Sequence, residues 1–249
     1  FGSLLGEGAF ARVYYAEETQ GGNEYAVKIV EKRQVHAQGR KNSVLSEKTM
    51  LSSLDHPGIV RLYSAFQDDF SLYFVIELVP GGELAAQITK MGTCPLQFAR
   101  YYTGEIVSIL SYLQARRVAH RDLKPENLLL TAEGHLKLVD FDSAVTVPEE
   151  GDADAAAGHR QDQSAFAGTA LYLPPEVLLE TAQPQDAFAL DLWALGCILF
   201  QMLAGKTPFR AETEYLTFQK VLRQDFEFPE DFPQAEPREL VLSLLVPEP

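Results

Sequence analysis

The first third of the chain alternates short apolar runs with turns and contains one stretch of helical spacing. Apolar residues at positions 4–5 and 13–16 flank a glycine-rich turn, and residues 24–30 form a third strand-like run. Residues 43–54 carry apolar side chains at helical spacing, and two more strand-like runs follow before residue 79. This pattern predicts a small sheet accompanied by one main helix.

The pattern changes at residues 79–82, Val-Pro-Gly-Gly, because proline and glycine interrupt regular elements. Beyond this point apolar residues recur at steps of three and four over residues 98–115 and 186–204. We therefore predict a strand-rich domain over residues 1–79 and a larger, mainly helical domain over residues 80–249. Strands and helices separated in this way indicate an α+β fold.

Charge and cysteine content exclude some functions. The 249 residues include 21 Lys and Arg against 35 Asp and Glu, a formal net charge of −14, which argues against binding nucleic acid through its phosphates. The two cysteines are far apart and lack metal-ligand spacing, so we expect a reducing, cytoplasmic environment. The most apolar stretch, residues 187–204, contains Asp191, so we expect a buried helix rather than a membrane span.

Two features of the first domain suit phosphate binding. Residues 6–13, Gly-Glu-Gly-Ala-Phe-Ala-Arg-Val, place glycines between two strands, where backbone amides can approach phosphates closely. Many such hairpins are simple turns, and the pattern alone is weak. Lys28 lies in an apolar strand 20 residues after Gly8, and its buried amine needs a partner. Glu47, on the predicted helix, is a candidate partner.

The second domain carries a more specific pattern. In residues 120–127, His-Arg-Asp-Leu-Lys-Pro-Glu-Asn, Asp122 precedes Asn127 by five positions, which offers a proton acceptor and a neutral metal ligand on one loop. Asp140 opens the sequence Asp-Phe-Asp after a strand-like run, and its carboxylate suits Mg²⁺. An isolated aspartate there would be a turn residue, but the order of these motifs along the chain excludes coincidence.

These motifs, with Pro-Pro-Glu at residues 174–176 and Asp-Leu-Trp-Ala-Leu-Gly at 191–196, resemble the protein kinase family over essentially the whole chain. The resemblance implies a bilobal fold with a small β-rich N-lobe, a larger helical C-lobe and ATP between them. It implies transfer of the ATP γ-phosphoryl group to a serine or threonine, with Mg²⁺ as cofactor. The catalytic residues would be Asp122, Lys124, Lys28 and Glu47, and the metal ligands Asn127 and Asp140.

The same resemblance implies a set of nucleotide-binding residues. Residues 77–79 would form the hinge that meets adenine, with Ile76 controlling the pocket behind it. The full predicted set is Gly6, Glu7, Gly8, Ala9, Phe10, Val13, Ala26, Lys28, Ile76, Glu77, Val79, Glu83, Glu126 and Leu129.

Four segments, at residues 25–32, 66–69, 72–74 and 209–216, resemble the AGC group and, within it, the phosphoinositide-dependent kinases. That resemblance implies protein substrates, namely the activation loops of other AGC kinases, which dock a hydrophobic motif in a groove. The residues that match the groove are Lys32, Val35, Val44, Lys48, Gln67, Leu72 and Phe74. Ordinary packing around a helix is the alternative for these positions. Recruitment to a membrane would depend on regions absent from this sequence.

The chain departs from the kinase pattern at three points. Asp142 replaces the glycine of Asp-Phe-Gly, and a positive φ there would cost about 1–2 kcal/mol. Ala165 replaces the regulatory serine, with Ser164 one position earlier, and the arginine that pairs with the glutamate matching Glu176 is absent. Asp142 and Ala165 make a pseudokinase scaffold one alternative interpretation. The other is an Akt-like AGC kinase, which would keep the chemistry and change the substrate.

Overall fold

The computed structural model describes residues 1–8, 11–37, 41–148, 170–183 and 186–247. The chain divides into two compact units. We call Phe1–Gly82 with Leu129–Ala144 the sheet unit, and Glu83–Leu128 with Val145–Pro249 the helical unit. The division into lobes at residues 1–79 and 80–249 stays a prediction. The two units differ from it because residues 129–144 belong to the sheet unit. The predicted α+β class is confirmed by this mixture of strands and helices.

The sheet unit is built on an antiparallel sheet of five strands in the order β1-β2-β3-β5-β4. Its elements are β1 (Leu4–Glu7), β2 (Ala11–Glu17), β3 (Glu24–Glu31), α1 (Lys32–Ala37), α2 (Lys41–Ser53), β4 (Leu62–Gln67) and β5 (Ser71–Glu77). The hydrophobic pattern predicts all of these except α1, a short polar helix with a single buried residue, Val35.

Both helices of the sheet unit contribute to its core. Val35 of α1 and Val44 of α2 form a buried cluster with Val30 and Phe74, which lie on β3 and β5. Leu72 and other partly buried apolar residues pack against the cluster. Side chains alternate between the faces of a strand, so this cluster also fixes which β3 residues share its face. Ala26, Lys28 and Val30 lie on that face.

A second hairpin completes the sheet unit. It consists of β6 (Leu128–Leu130) and β7 (Leu136–Leu138) and is joined to the preceding chain by hydrogen bonds from Val60 N to Leu138 O, 3.0 Å, and from Leu138 N to Gly58 O, 2.8 Å. Gly81 lies so close to this hairpin that a Cβ there would stand 2.5 Å from Leu130 O. Only glycine permits that approach. The hairpin sets the position of the residues that follow β7.

The helical unit packs around one long apolar helix. Its helices are α3 (Leu84–Met91), α4 (Leu96–Ala115), α5 (Pro175–Leu178), α6 (Ala187–Ala204), α7 (Glu214–Arg223) and α8 (Glu236–Leu244), with one-turn 3₁₀ helices at Pro125–Asn127 and Ala170–Tyr172 and a short ladder of Val118–Ala119 with Val145–Thr146. α6 has the length and hydropathy of a membrane span, but 72% of it is buried inside the protein. Burial of this extent is typical of a core helix, as the sequence predicts.

Candidate active site

The Lys28 side chain is the centre of a charge cluster in the sheet unit. Its Nζ donates hydrogen bonds to Glu47 Oε1 at 2.6 Å, Asp140 Oδ1 at 3.0 Å and Asp142 Oδ1 at 2.9 Å. β3 carries Lys28 on the face that packs against α2, and α2 carries Glu47, so regular secondary structure sets this pair. The two aspartates come from the segment that follows β7.

Electrostatics keep the Lys28 ammonium charged. Burial opposes the charged form, but the negative charges of Asp140, Glu47 and Asp142 outweigh it, so the pKa of Lys28 lies well above its usual value. A buried amine without partners would instead lose its proton. The Lys28 ammonium is therefore a fixed positive charge in the middle of β3.

In the Asp-Phe-Asp segment the residue with positive φ is Asp140 and not Asp142. Asp140 is in the left-handed region with φ 63°, whereas Asp142 is not among the residues of positive φ. The strain considered for a non-glycine residue at position 142 is therefore absent, because the backbone there does not need glycine. Asp140 carries the cost instead, and aspartate is one of the residues that tolerate this region.

The glycine-rich turn joins β1 and β2. Gly6 and Glu7 end β1, paired with Val13 and Arg12, and Gly8 N donates to Ala11 O at 2.8 Å. Glu7 Oε1 accepts from Arg12 Nε at 2.7 Å. The predicted nucleotide-binding residues Ala9 and Phe10 lie outside the described residues, as do Ser164 and Ala165.

Pairing in the sheet gathers more of the predicted nucleotide-binding residues. Val13 is opposite Lys28, and Ala26 is opposite Ile76, so these four side chains share one face. The partly buried Val79 follows β5, and Leu129 lies on β6.

Glu77, which the sequence predicts to lie in the hinge, has a structural role that the sequence does not reveal. Its Oε2 forms an ion pair with Lys137 Nζ at 2.8 Å and accepts a hydrogen bond from Arg61 N at 3.2 Å. The Glu77 amide donates to Arg61 O at 2.9 Å. These contacts fix the end of β5, so the Glu77 side chain serves the fold of the sheet unit.

The loop of the helical unit surrounds the Asp122 carboxylate with donors. Lys124 Nζ lies 2.8 Å from Asp122 Oδ2, and Asn127 Nδ2 donates to both Asp122 O at 2.8 Å and Asp122 Oδ2 at 3.0 Å. The 3₁₀ turn Pro125–Asn127 brings Asn127 back to Asp122. The loop therefore brings together three residues that the sequence predicts to act together.

This loop is held from behind by a buried aspartate of α6. Asp191 is 3% exposed, and its two carboxylate oxygens accept from His120 N and Arg121 N at 2.8 Å each. Burial raises the pKa of Asp191, and the hydrogen bonds from His120 and Arg121 oppose that shift. Arg121 has φ 63°, a strained conformation that these bonds help to maintain. The sequence indicates this structural role only by placing one carboxylate, Asp191, in a mainly apolar helix.

The remaining predicted residues lie apart from these clusters. Glu83 is exposed just before α3, and Glu126 is exposed within the 3₁₀ turn. Of the predicted groove, Val35, Val44 and Phe74 are buried in the core cluster, and Leu72 packs against it. Lys48 and Gln67 are exposed, and Lys32 Nζ donates to Asp68 O.

The predicted magnesium ligands have suitable chemistry in each unit. Mg²⁺ prefers hard oxygen donors. The Asp140 side chain is 40% exposed and offers carboxylate oxygens to solvent. Asn127 uses its amide nitrogen as donor to Asp122, which leaves its carbonyl oxygen as the ligand atom. Each of these residues therefore offers an oxygen atom of the kind that Mg²⁺ prefers.

Comparison with known proteins gives the class. Residues 1–246 match the protein kinase domain family, and the chain belongs to that family. Its sheet unit carries the β-sheet of the N-lobe and its helical unit the helices of the C-lobe, and the class is protein serine/threonine kinase of the AGC group.

Within this class the chain is similar to 3-phosphoinositide-dependent protein kinase 1. It is 45% identical to that protein from Homo sapiens over 248 residues, which are 99% of this chain and 42% of the human protein. It is 42% identical to the Arabidopsis thaliana protein of the same name over 256 residues, 100% of this chain and 50% of the relative. The serine/threonine-protein kinase ksg1 of Schizosaccharomyces pombe is 41% identical over 255 residues, 100% of this chain and 42% of the relative. The predicted resemblance is confirmed, and the chain spans half or less of these relatives.

Replacement of Asp191 by Asn should destabilise the protein by about 1–3 kcal/mol, because one buried backbone N–H then faces an amide group instead of a carboxylate. Urea unfolding measures this change. Asp186→Asn is the matched control, since Asp186 lies partly exposed before the same helix and accepts from Gln183 N at 2.8 Å. Equal losses in the two variants would show that Asp191 has no special structural role.

Proposed function

We propose that this chain transfers the γ-phosphoryl group of ATP to serine or threonine hydroxyls of other protein kinases. The observation that carries the proposal is that the charged groups needed for this reaction are already positioned, with Lys28 held by Glu47 and Asp122 held by Lys124 and Asn127. Phosphoryl transfer depends on positioning and charge neutralisation more than on covalent participation of the enzyme. Preformed charge clusters therefore support catalysis.

In the sheet unit, Lys28 would bind the α- and β-phosphates. Its ammonium stays charged and is anchored by Glu47, whose side chain is 3% exposed, so the cation is already fixed on β3 when a phosphate oxygen arrives. The backbone amides of the glycine-rich turn would contact the same phosphates. The exposed Gly6 leaves open space where a side chain would stand, which suits such an approach.

In the helical unit, Asp122 would orient the substrate hydroxyl and accept its proton as the new P–O bond forms. Lys124, whose ammonium lies 2.8 Å from Asp122, would neutralise charge on the transferring group. Asn127 keeps Asp122 in place by donating one hydrogen bond to its backbone carbonyl oxygen and one to its carboxylate. A carboxylate with donors on one side retains acceptor capacity on the other, as a proton acceptor requires.

Asp140 and Asn127 would hold Mg²⁺. The ion supplies neutralisation of the phosphate oxygens when it is bound. The protein's own contribution is to supply one carboxylate and one amide oxygen from segments whose backbones are fixed by β7 and by the 3₁₀ turn.

The substrate class is proposed from the resemblance of residues 25–32, 66–69, 72–74 and 209–216 to the phosphoinositide-dependent kinases. The relatives named 3-phosphoinositide-dependent protein kinase 1 are about twice as long as this chain or longer. We propose activation loops of AGC kinases as substrates and a groove at α1, α2, β4 and β5 as the docking site for their hydrophobic motif. The partly buried Leu72 and the exposed Gln67 and Lys48 support a surface of mixed character there. An Akt-like substrate choice and a pseudokinase scaffold remain the competing assignments.

Phosphoryl transfer to an AGC activation-loop peptide should fall by about 10²–10⁴-fold in Asp122→Asn, because the variant lacks the proton acceptor. Asp140→Asn should lose transfer as well, through weaker magnesium binding. Incorporation of ³²P measures both. Asp69→Asn, at an exposed turn residue of the sheet unit, controls for the change in net charge. ATP binding without transfer in the wild-type protein would favour the scaffold assignment.

A peptide with a hydrophobic motif should stimulate that transfer, and Leu72→Glu should abolish the stimulation by placing a charge in the groove. Gln67→Ala, an exposed substitution that spares the core, should weaken it. Leu240→Glu, at a 41% exposed residue of α8, is the matched control and should respond normally to the peptide. Stimulation that survives both groove substitutions would place the docking site elsewhere.

A further inference from the structure

Asp142 uses a hydrogen-bonding position of Lys28 that a nucleotide phosphate would need. A lysine ammonium has three N–H donors, all of which point away from the side chain. In this structure the three nearest carboxylates, those of Glu47, Asp140 and Asp142, each accept one hydrogen bond from Nζ at 3.0 Å or less. The donors of Lys28 are therefore fully used before any phosphate binds.

The three contacts differ in exposure. The Glu47 side chain is 3% exposed, whereas those of Asp140 and Asp142 are 40% and 26% exposed. Among these three contacts the side of the two aspartates is the exposed one, so an incoming ligand would approach Lys28 from there. Contact with two phosphate oxygens requires two donors, so both aspartates have to give up their hydrogen bonds while Glu47 keeps its own.

The two aspartates are not equivalent after this exchange. Asp140 gains a new partner, because its carboxylate would ligate Mg²⁺ in the proposed reaction. Asp142 replaces the glycine of Asp-Phe-Gly, so the kinase pattern has no metal ligand at this position. Its carboxylate would instead face the phosphates as a like charge. The Asp142 backbone is unstrained, so the side chain alone distinguishes this residue from a glycine at the same position.

We propose that Asp142 is a competitor for the nucleotide phosphates that is built into the site. Its carboxylate holds Lys28 in the unliganded protein and has to be displaced when phosphates bind. Asp142 thereby lowers the affinity for phosphate-bearing nucleotides but not the affinity for the nucleoside. This inference rests on the proposed function, since it assumes that Lys28 binds nucleotide phosphates.

Isothermal titration of the whole chain with Mg²⁺–ADP and, separately, with adenosine tests the inference without a catalytic assay. Asp142→Ala removes the competing acceptor, and we expect ADP to bind about ten-fold more tightly, which corresponds to about 1.4 kcal/mol. Asp142→Asn keeps the shape and an acceptor but loses the charge, so an intermediate gain is expected. Adenosine affinity should stay unchanged in both variants.

Asp69→Ala is the matched control, because it removes one exposed carboxylate from the same unit and should leave both affinities unchanged. Equal or weaker ADP binding in Asp142→Ala and Asp142→Asn, with ADP bound by the wild-type protein, overturns the inference and leaves the proposed function intact. A comparable gain for adenosine also overturns it, since the effect would not involve phosphates. Failure of all four proteins to bind ADP contradicts the proposed function and the inference with it.

Discussion

The candidate site depends first on the ion pair between Lys28 and Glu47, 2.6 Å apart and almost fully buried. A buried ion pair gains stability only when its remaining hydrogen-bonding capacity is satisfied, and its main value here is a charge fixed in place. β3 and α2 supply the two residues, and the cluster of Val30, Val44 and Phe74 fixes that packing. The apolar core of the sheet unit thus determines where the cation stands.

In the helical unit a buried charged side chain also fixes a functional segment, but here the charge is a carboxylate and its partners are backbone N–H groups. There the buried carboxylate of Asp191 accepts two backbone N–H groups, and these bonds help to keep Arg121 in a left-handed conformation. Asp140 in the sheet unit has the same unusual φ. Strained residues of this kind persist where surrounding contacts over-determine them, and they concentrate at functional sites. In both units, therefore, structural contacts in the interior hold the functional groups in place.

The sequence predicts the long elements well because β3 and α6 are marked by apolar runs, and α2 and α4 by apolar residues at helical steps. It does not predict α1, which has only one buried residue, or α7 and α8, which are short amphipathic helices. The Lys28–Glu47 contact follows from motif order, whereas the contact between Lys28 and Asp142 does not. That contact depends on the path of the chain after β7, which tertiary hydrogen bonds to Gly58 and Val60 determine.

The central claim is that the Lys28 ammonium is the binding point for nucleotide phosphates. An adenosine with a sulfonyl fluoride at its 5′ position carries, where the phosphates would lie, a group that reacts with the neutral form of an amine. Labelling is therefore run at alkaline pH and is slow at Lys28, whose pKa is raised. Peptide mapping by mass spectrometry after treatment with this reagent locates the modified lysine. The account predicts modification of Lys28, prevented by Mg²⁺–ATP. Modification confined to other lysines, or modification of Lys28 that Mg²⁺–ATP does not prevent, would contradict it.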